Sequence, residues 1–167
     1  MDAGGAYVDR VRAALQQQGY EVSTGDVGGY PVVAGRRSDF RWTWFAVRLH
    51  TSVIVRPFTA VEATVATLDT YLDECSRWAV QHRGPGPPLG LQSGTAAVAV
   101  AAVTGGGGEG PVWGARAHGR RFAALAYPVA VNVETGTVVQ PTRMVFGGIF
   151  LPFLRGIVRD VVQASLA

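Results

Sequence analysis

The run from Asp39 to Arg56, DFRWTWFAVRLHTSVIVR, constrains the fold more than any other stretch. It is rich in aromatic and β-branched residues and free of Gly and Pro, a composition that favours strand. Side chains alternate along a strand, so Phe40, Trp42 and Trp44 share one face and Arg41 and Thr43 the other. Near Phe45 the parity flips. From there Phe45, Val47, Leu49, Thr51, Val53 and Val55 form the apolar side, and Arg48, His50, Ser52 and Arg56 alternate against them. The run reads as one long central strand, bulged or bent at the flip.

The flanking segments supply partners for such a strand. Tyr7, Val8, Val11 and Leu15 have helical spacing over about Ala6–Gln18, and Gly19 ends that helix. Glu21–Thr24 and Val32–Arg36 read as short strands of an antiparallel meander, with Tyr20, Val22, Val32 and Ala34 inside and Arg37–Ser38–Asp39 as the connection onward. After Pro57, the pair Thr59 and Glu62 has the spacing of a capping box. Val61, Val65, Leu68, Leu72, Cys75 and Ala79 then make an apolar stripe along a helix of about six turns, stopped by Gly84 and Pro85.

The Ala- and Val-rich run Thr95–Val103 favours a buried strand, Pro111–His118 a short helix, and Arg121–Glu134 a strand that Pro128 places partly at a sheet edge or a bulge. Glu134–Thr135–Gly136 has hairpin-turn composition, and Thr137–Gln140 returns from it. Met144–Leu166 is helical, interrupted near Gly147–Gly148 or Pro152. The order predicts a single α+β domain over residues 1–167. Its sheet is mainly antiparallel, with a long capped helix packed on one face and helices at both ends of the chain.

Composition excludes several chemistries. All fifteen basic residues are arginine, so a P-loop lysine, a lysine Schiff base and a lysine general base are impossible. The net charge of +3 is spread along the sequence, without the basic stripe of a nucleic-acid binder. Cys75 is the only cysteine, which rules out an intrachain disulfide and a cysteine-based zinc site. It sits on the apolar stripe as a core thiol. His50, His82 and His118 show no metal-ligand spacing, so neither a metal nor a cofactor is expected. GLQSG at 90–94 lacks the flanking glycines of a nucleophile elbow.

The start, MDAGGAYVDR, has no apolar signal core, and a cytoplasmic location is expected. The uncharged stretch Met144–Leu154 is too short to cross a bilayer, although the helix it opens has the amphipathic form of a peripheral membrane contact.

Trp42 and Trp44 read either as core beneath a helix, with solvated arginines behind, or as the floor of an uncovered groove for a partner. With Phe150 and Phe153 of the last helix they are the candidate interaction face. Arg48, His50 and Arg56 share one parity and are the candidate anion-binding set.

The segments VGGYPVVAGRRSDFRWTWFAVRLH, LGLQSG and RRFAALAYPVAVNVETG resemble a family of small bacterial α+β proteins, some actinobacterial members of which carry the label levansucrase. A levansucrase propeller is far longer and carries an RDP motif, whereas Arg159–Asp160 here precedes Val161. The element order also resembles the secretion-chaperone-like fold, which implies binding of other polypeptides. The expectation is a non-enzymatic interaction module, chaperone- or adaptor-like, that binds a protein partner or itself and no nucleic acid. The alternative is a ligand-binding protein or enzyme with an anion pocket between sheet and helix.

Overall fold

The computed structural model describes residues 2–86, 93–106 and 108–167. Helix α1 (Ala3–Gln17) begins where the Asp2 carboxylate accepts the Gly5 amide at 2.6 Å. Tyr7, Val11 and Leu15, four residues apart on one stripe, are fully buried. Strands β1 (Glu21–Val27) and β2 (Tyr30–Phe40) pair antiparallel through a two-residue turn. Such a turn needs positive φ at both central positions, which Gly28 (63°) and Gly29 (82°) supply without strain.

The stretch 39–56 is not one strand. Strand β2 ends at Phe40, Trp42–Trp44 form a 3-10 turn, and the left-handed pair Phe45 and Ala46 turns the chain into β3 (Arg48–Thr59). Phe40 then lies opposite Arg48 and Ser38 opposite His50. The parity flip marks a chain reversal, and Arg37–Ser38–Asp39 belong to β2 rather than to a connection.

Helix α2 (Val65–Gln81) also starts later than the capping-box spacing predicts. Glu62 and Thr59 do exchange the expected hydrogen bonds, the carboxylate accepting the Thr59 amide at 2.9 Å and the Glu62 amide reaching the hydroxyl at 3.3 Å. They close a turn after β3, however. Thr64, still extended, caps the helix by accepting the Thr67 amide. Val61, placed on the stripe by spacing alone, is 89% exposed.

Strand β4 (Ser93–Thr104) runs parallel to β3, and β6 (Ala124–Asn132) parallel to β4. Helix α2 links the first pair, and α3 (Gly110–Ala115) with the short strand β5 (Arg120–Arg121) precedes β6. Strand β7 (Thr137–Val139) returns along β6 through the turn at Gly136. Among the described residues the sheet has seven strands and is mixed: four of its six pairings are antiparallel, around a parallel centre.

Pro128 fits this frame. The Ala126 amide points outward to the Gly119 carbonyl, and position 128 shares its direction, facing the gap between β5 and β7 where no ladder bond is lost.

Both faces of the sheet are covered. Strand β4 is buried on each side, with Ala96, Val98, Val100 and Ala102 toward one core and Ala99, Ala101 and Val103 toward the other. The first core lies under α1 and the C-terminal helix α4 (Leu151–Ile157), which continues with wider π-type turns over Val158–Gln163. The second lies under α2, with Trp113 of α3. The C-terminal helix therefore sits across the sheet from α2. The meander likewise splits its side chains: Tyr20, Val22 and Val33 face the first core, Val32 and Ala34 the second.

Candidate binding surface

Because β3, β4 and β6 are parallel, their first residues lie at one end of the sheet, here the leading end. Arg48 is level with Ser93, and Ala96 with Leu125. The chain reaches β3 and β6 through the same local device, a Phe–Ala pair with both residues left-handed: Phe45 and Ala46 at φ 55° and 59°, Phe122 and Ala123 at 48° and 67°. The second pair is the two-residue turn between Arg121 and Ala124. Non-glycine residues in this region cost about 1–2 kcal/mol each. Phe45 ends 84% exposed and Phe122 half-exposed, with the Arg77 guanidinium 4.0 Å above its ring.

Two further segments add apolar surface. Trp42 is 80% exposed, its ring set edge-on to Phe40 at 5.2 Å. Residues 145–150 cross the leading end. The Val145 amide donates to the His118 carbonyl, Gly147 fits against Leu125 where a Cβ would meet Cδ2 at 2.8 Å, and Phe150 packs on Trp44 at 5.1 Å. Val145, Phe146 and Ile149 are left exposed on this crossing.

The carboxylates at the trailing end cap backbone amides. At the trailing end Asp2, Asp26, Glu62, Glu109 and Glu134 each accept a backbone amide, from Gly5, Gly29, Thr59, Val65 and Gly105. The bond from Thr59 holds the Glu62 carboxyl below the usual carboxylate range. At the leading end Arg48, Arg77, Arg120 and Arg143 have no carboxylate within ion-pair distance among the described residues. Arg120 instead lies over the Phe146 ring.

The structure divides the predicted interaction face. Trp44 is buried against Phe150 and Phe153, Phe153 is itself buried, and Phe150 is partly covered, so these three knit the β2–β3 connection to the C-terminal helix. Trp42 stands apart in solvent. Phe45, Phe122, Phe146 and Ile149 join it at the leading end. Alternation puts Phe45 on the apolar side of a strand and helical spacing puts Ile149 on an apolar helix face, but the left-handed Phe–Ala turn and the late start of the helix leave both exposed.

Arg48, His50 and Arg56 occupy one face of β3 but do not converge. His50 and Arg56 are six residues apart, about 20 Å along a strand. The Arg56 guanidinium is stacked against Tyr30 at 3.4 Å and Phe58 at 4.2 Å. Arg48 is exposed. His50 is buried, its Nδ1 2.7 Å from the Ser38 hydroxyl in a small cleft with Arg36, Ser52 and His82. Burial, then the nearby Arg83 and Arg48, pulls its imidazole below the ordinary histidine range and keeps it neutral at pH 7. Arg36 in that cleft is already held by Glu21 and the His82 carbonyl.

Cys75 is fully buried, and desolvation pushes its thiol up. No group of three or more His, Cys, Asp or Glu able to hold a metal occurs among the described residues, and no described helix is long and apolar enough to cross a membrane. The expected loop at 84–90, the GLQSG segment and the glycine run at 105–108 lie partly outside the described residues. Comparison of the chain with protein-family models, curated proteins and solved structures returns no match.

Proposed function

We propose that this chain is a non-enzymatic binding module that docks an acidic face of a partner protein on its leading end. One observation carries the reading: apolar side chains from three separate segments, Trp42 and Phe45, Phe122, and Phe146 with Ile149, stand exposed at one end among arginines without carboxylate partners. Burying an aromatic side chain contributes roughly 1.5–3 kcal/mol, and Trp and Arg dominate the energetics of protein interfaces. The left-handed turns fix Phe45 and Phe122 before contact, which reduces the ordering cost of binding. The surrounding guanidiniums favour an acidic partner and accelerate encounter with it.

The test compares the double variant Trp42→Ser/Phe45→Ser with Val61→Ser, an equally exposed site at the trailing end. A partner captured from the host lysate is purified and its affinity measured at low and high salt. Loss of about tenfold or more in the double variant alone, with affinity falling as salt rises, supports the proposal. Equal binding by both variants overturns it. So does association confined to copies of the chain itself or to anionic vesicles.

A further inference from the structure

A second site lies between the end of β2 and the C-terminal helix, in a cleft of about 290 Å³ lined by Tyr20, Arg37, Arg41, Phe153, Ile157 and Asp160 among others. Arg41 is its unusual member. Its guanidinium lies 5.2 Å from the ring centroids of both Trp44 and Phe153, and among the described residues it makes no ion pair or hydrogen bond. Stacking on aromatic rings occupies the faces of a guanidinium and leaves its in-plane N–H donors free for a planar or tetrahedral oxyanion.

The neighbouring groups are arranged differently. Arg37 is fixed by Asp39 at 3.0 Å and by the Gln18 carbonyl at 2.8 Å, and it lies over the Tyr20 ring at 4.5 Å. Arg159 is tied to Asp160 by two hydrogen bonds. Asp39 and Asp160 are thereby each committed to an arginine, and the charge of Arg41 is left over. Tyr20, 6% exposed, has its hydroxyl closed off from solvent and without a partner among the described residues. Burial is the main reason its phenol is pushed up to about 12, so it stays a donor through the neutral range. Pro152, Phe153 and Ile157 give the cleft an apolar wall.

We infer that this cleft binds a small organic anion, its carboxylate or phosphate on Arg41 and its hydrocarbon part against Phe153 and Ile157. The volume lies near the lower bound of about 300 Å³ for ligand pockets, which limits the ligand to one small ring or a short chain. This site is independent of the docking surface, since Trp42, Phe45, Phe122 and Phe146 take no part in it.

The full chain is titrated with benzoate, phenyl phosphate and chloride, followed by calorimetry and by amide chemical shifts. Benzoate or phenyl phosphate is expected to saturate, with shifts centred on Tyr20, Arg41 and Phe153, and the stronger of the two identifies the head group. Arg41→Gln should weaken binding about tenfold or more. Gly156→Leu supplies a variant that folds: Gly156 lines the cleft, a Cβ there meets open space, and leucine suits a helix better than glycine. It should abolish binding while leaving the melting temperature unchanged or raised. Absence of saturable binding by either oxyanion, saturation by chloride to the same degree, or binding indifferent to both substitutions overturns the inference. Trp42→Ser/Phe45→Ser should bind the anion normally, which separates failure of this site from failure of the docking surface.

Discussion

The indole of Trp44 meets the ring of Phe153 edge-on, with centroids 4.9 Å apart and planes at 69°. Through this contact the β2–β3 connection is fastened to a helix more than a hundred residues later in the chain. Edge-to-face pairs add about 0.5–1.5 kcal/mol beyond the area they bury. Trp44→Ala should therefore lower stability by about 3–5 kcal/mol, as for other buried aromatic truncations. Trp42→Ala, two residues away and in solvent, should stay within about 0.5 kcal/mol. Urea denaturation read by far-UV circular dichroism distinguishes them, and equal losses would contradict the packing. Phe153→Arg would bury a charge and damage the fold, so it is no probe of an interface.

The turn between β5 and β6 stores strain that glycine would relieve. Ala123 has φ 67°, a conformation that costs a non-glycine residue about 1–2 kcal/mol, while glycine loses roughly 0.5–1 kcal/mol in chain entropy. Ala123→Gly should then raise stability by about 0.5–1 kcal/mol, seen as a higher urea midpoint at unchanged slope. A lower midpoint would mean that the methyl group contributes packing outweighing the strain.

These two sites also show what the residue pattern makes legible. The helical stripe of Tyr7, Val11 and Leu15, the buried Ala and Val of β4 and the edge position of Pro128 follow from periodicity and missing donors, which are local properties. The break at Trp42–Ala46 does not, because a reversal built from Trp, Phe and Ala without Gly, Asn or Pro looks the same as a bulged strand. The start of α2 was obscured for a related reason: two threonine caps lie five residues apart, and only the extended backbone at Thr64 decides between them. The gathering of carboxylates 2, 26, 62, 109 and 134 at the trailing end is equally hidden, since α1, the β1–β2 hairpin and the parallel strands must all be in place before they meet.

Acid should destabilise the domain before its carboxylates protonate. Burial is the leading cause that lowers both His50 and His118 below the ordinary histidine value. Arg83 and Arg48 add to the effect on His50. Arg121 and Arg116 do so on His118, opposed by Asp69 and Asp73. The unfolded chain takes up these protons near pH 6.5 and the folded chain only at lower pH. Stability is thus complete above about pH 7 and falls as pH drops through 6.5 toward the folded values. Urea midpoints between pH 8 and pH 5 should decline in that window, and His50→Gln/His118→Gln should flatten the decline. An unchanged slope in the double variant would assign the loss to other groups.

Cys75 offers a test of whether the two faces of the sheet unfold together. It lies under α2, fully buried, with its thiol raised by desolvation, so an aromatic disulfide reagent should react only after the protein opens. Trp44 lies on the other face, in the core beneath α1 and α4. In a single cooperative unit, Trp44→Ala destabilises the state that protects Cys75 by its full amount. With reclosing faster than labelling, a loss of about 3–5 kcal/mol should raise the labelling rate by two orders of magnitude or more. Strand β4 makes this the expected result, because its alternate side chains belong to both cores and neither face can separate without uncovering it. A labelling rate unchanged by Trp44→Ala would show that α2 and its half of the core open independently of the face that holds Arg41.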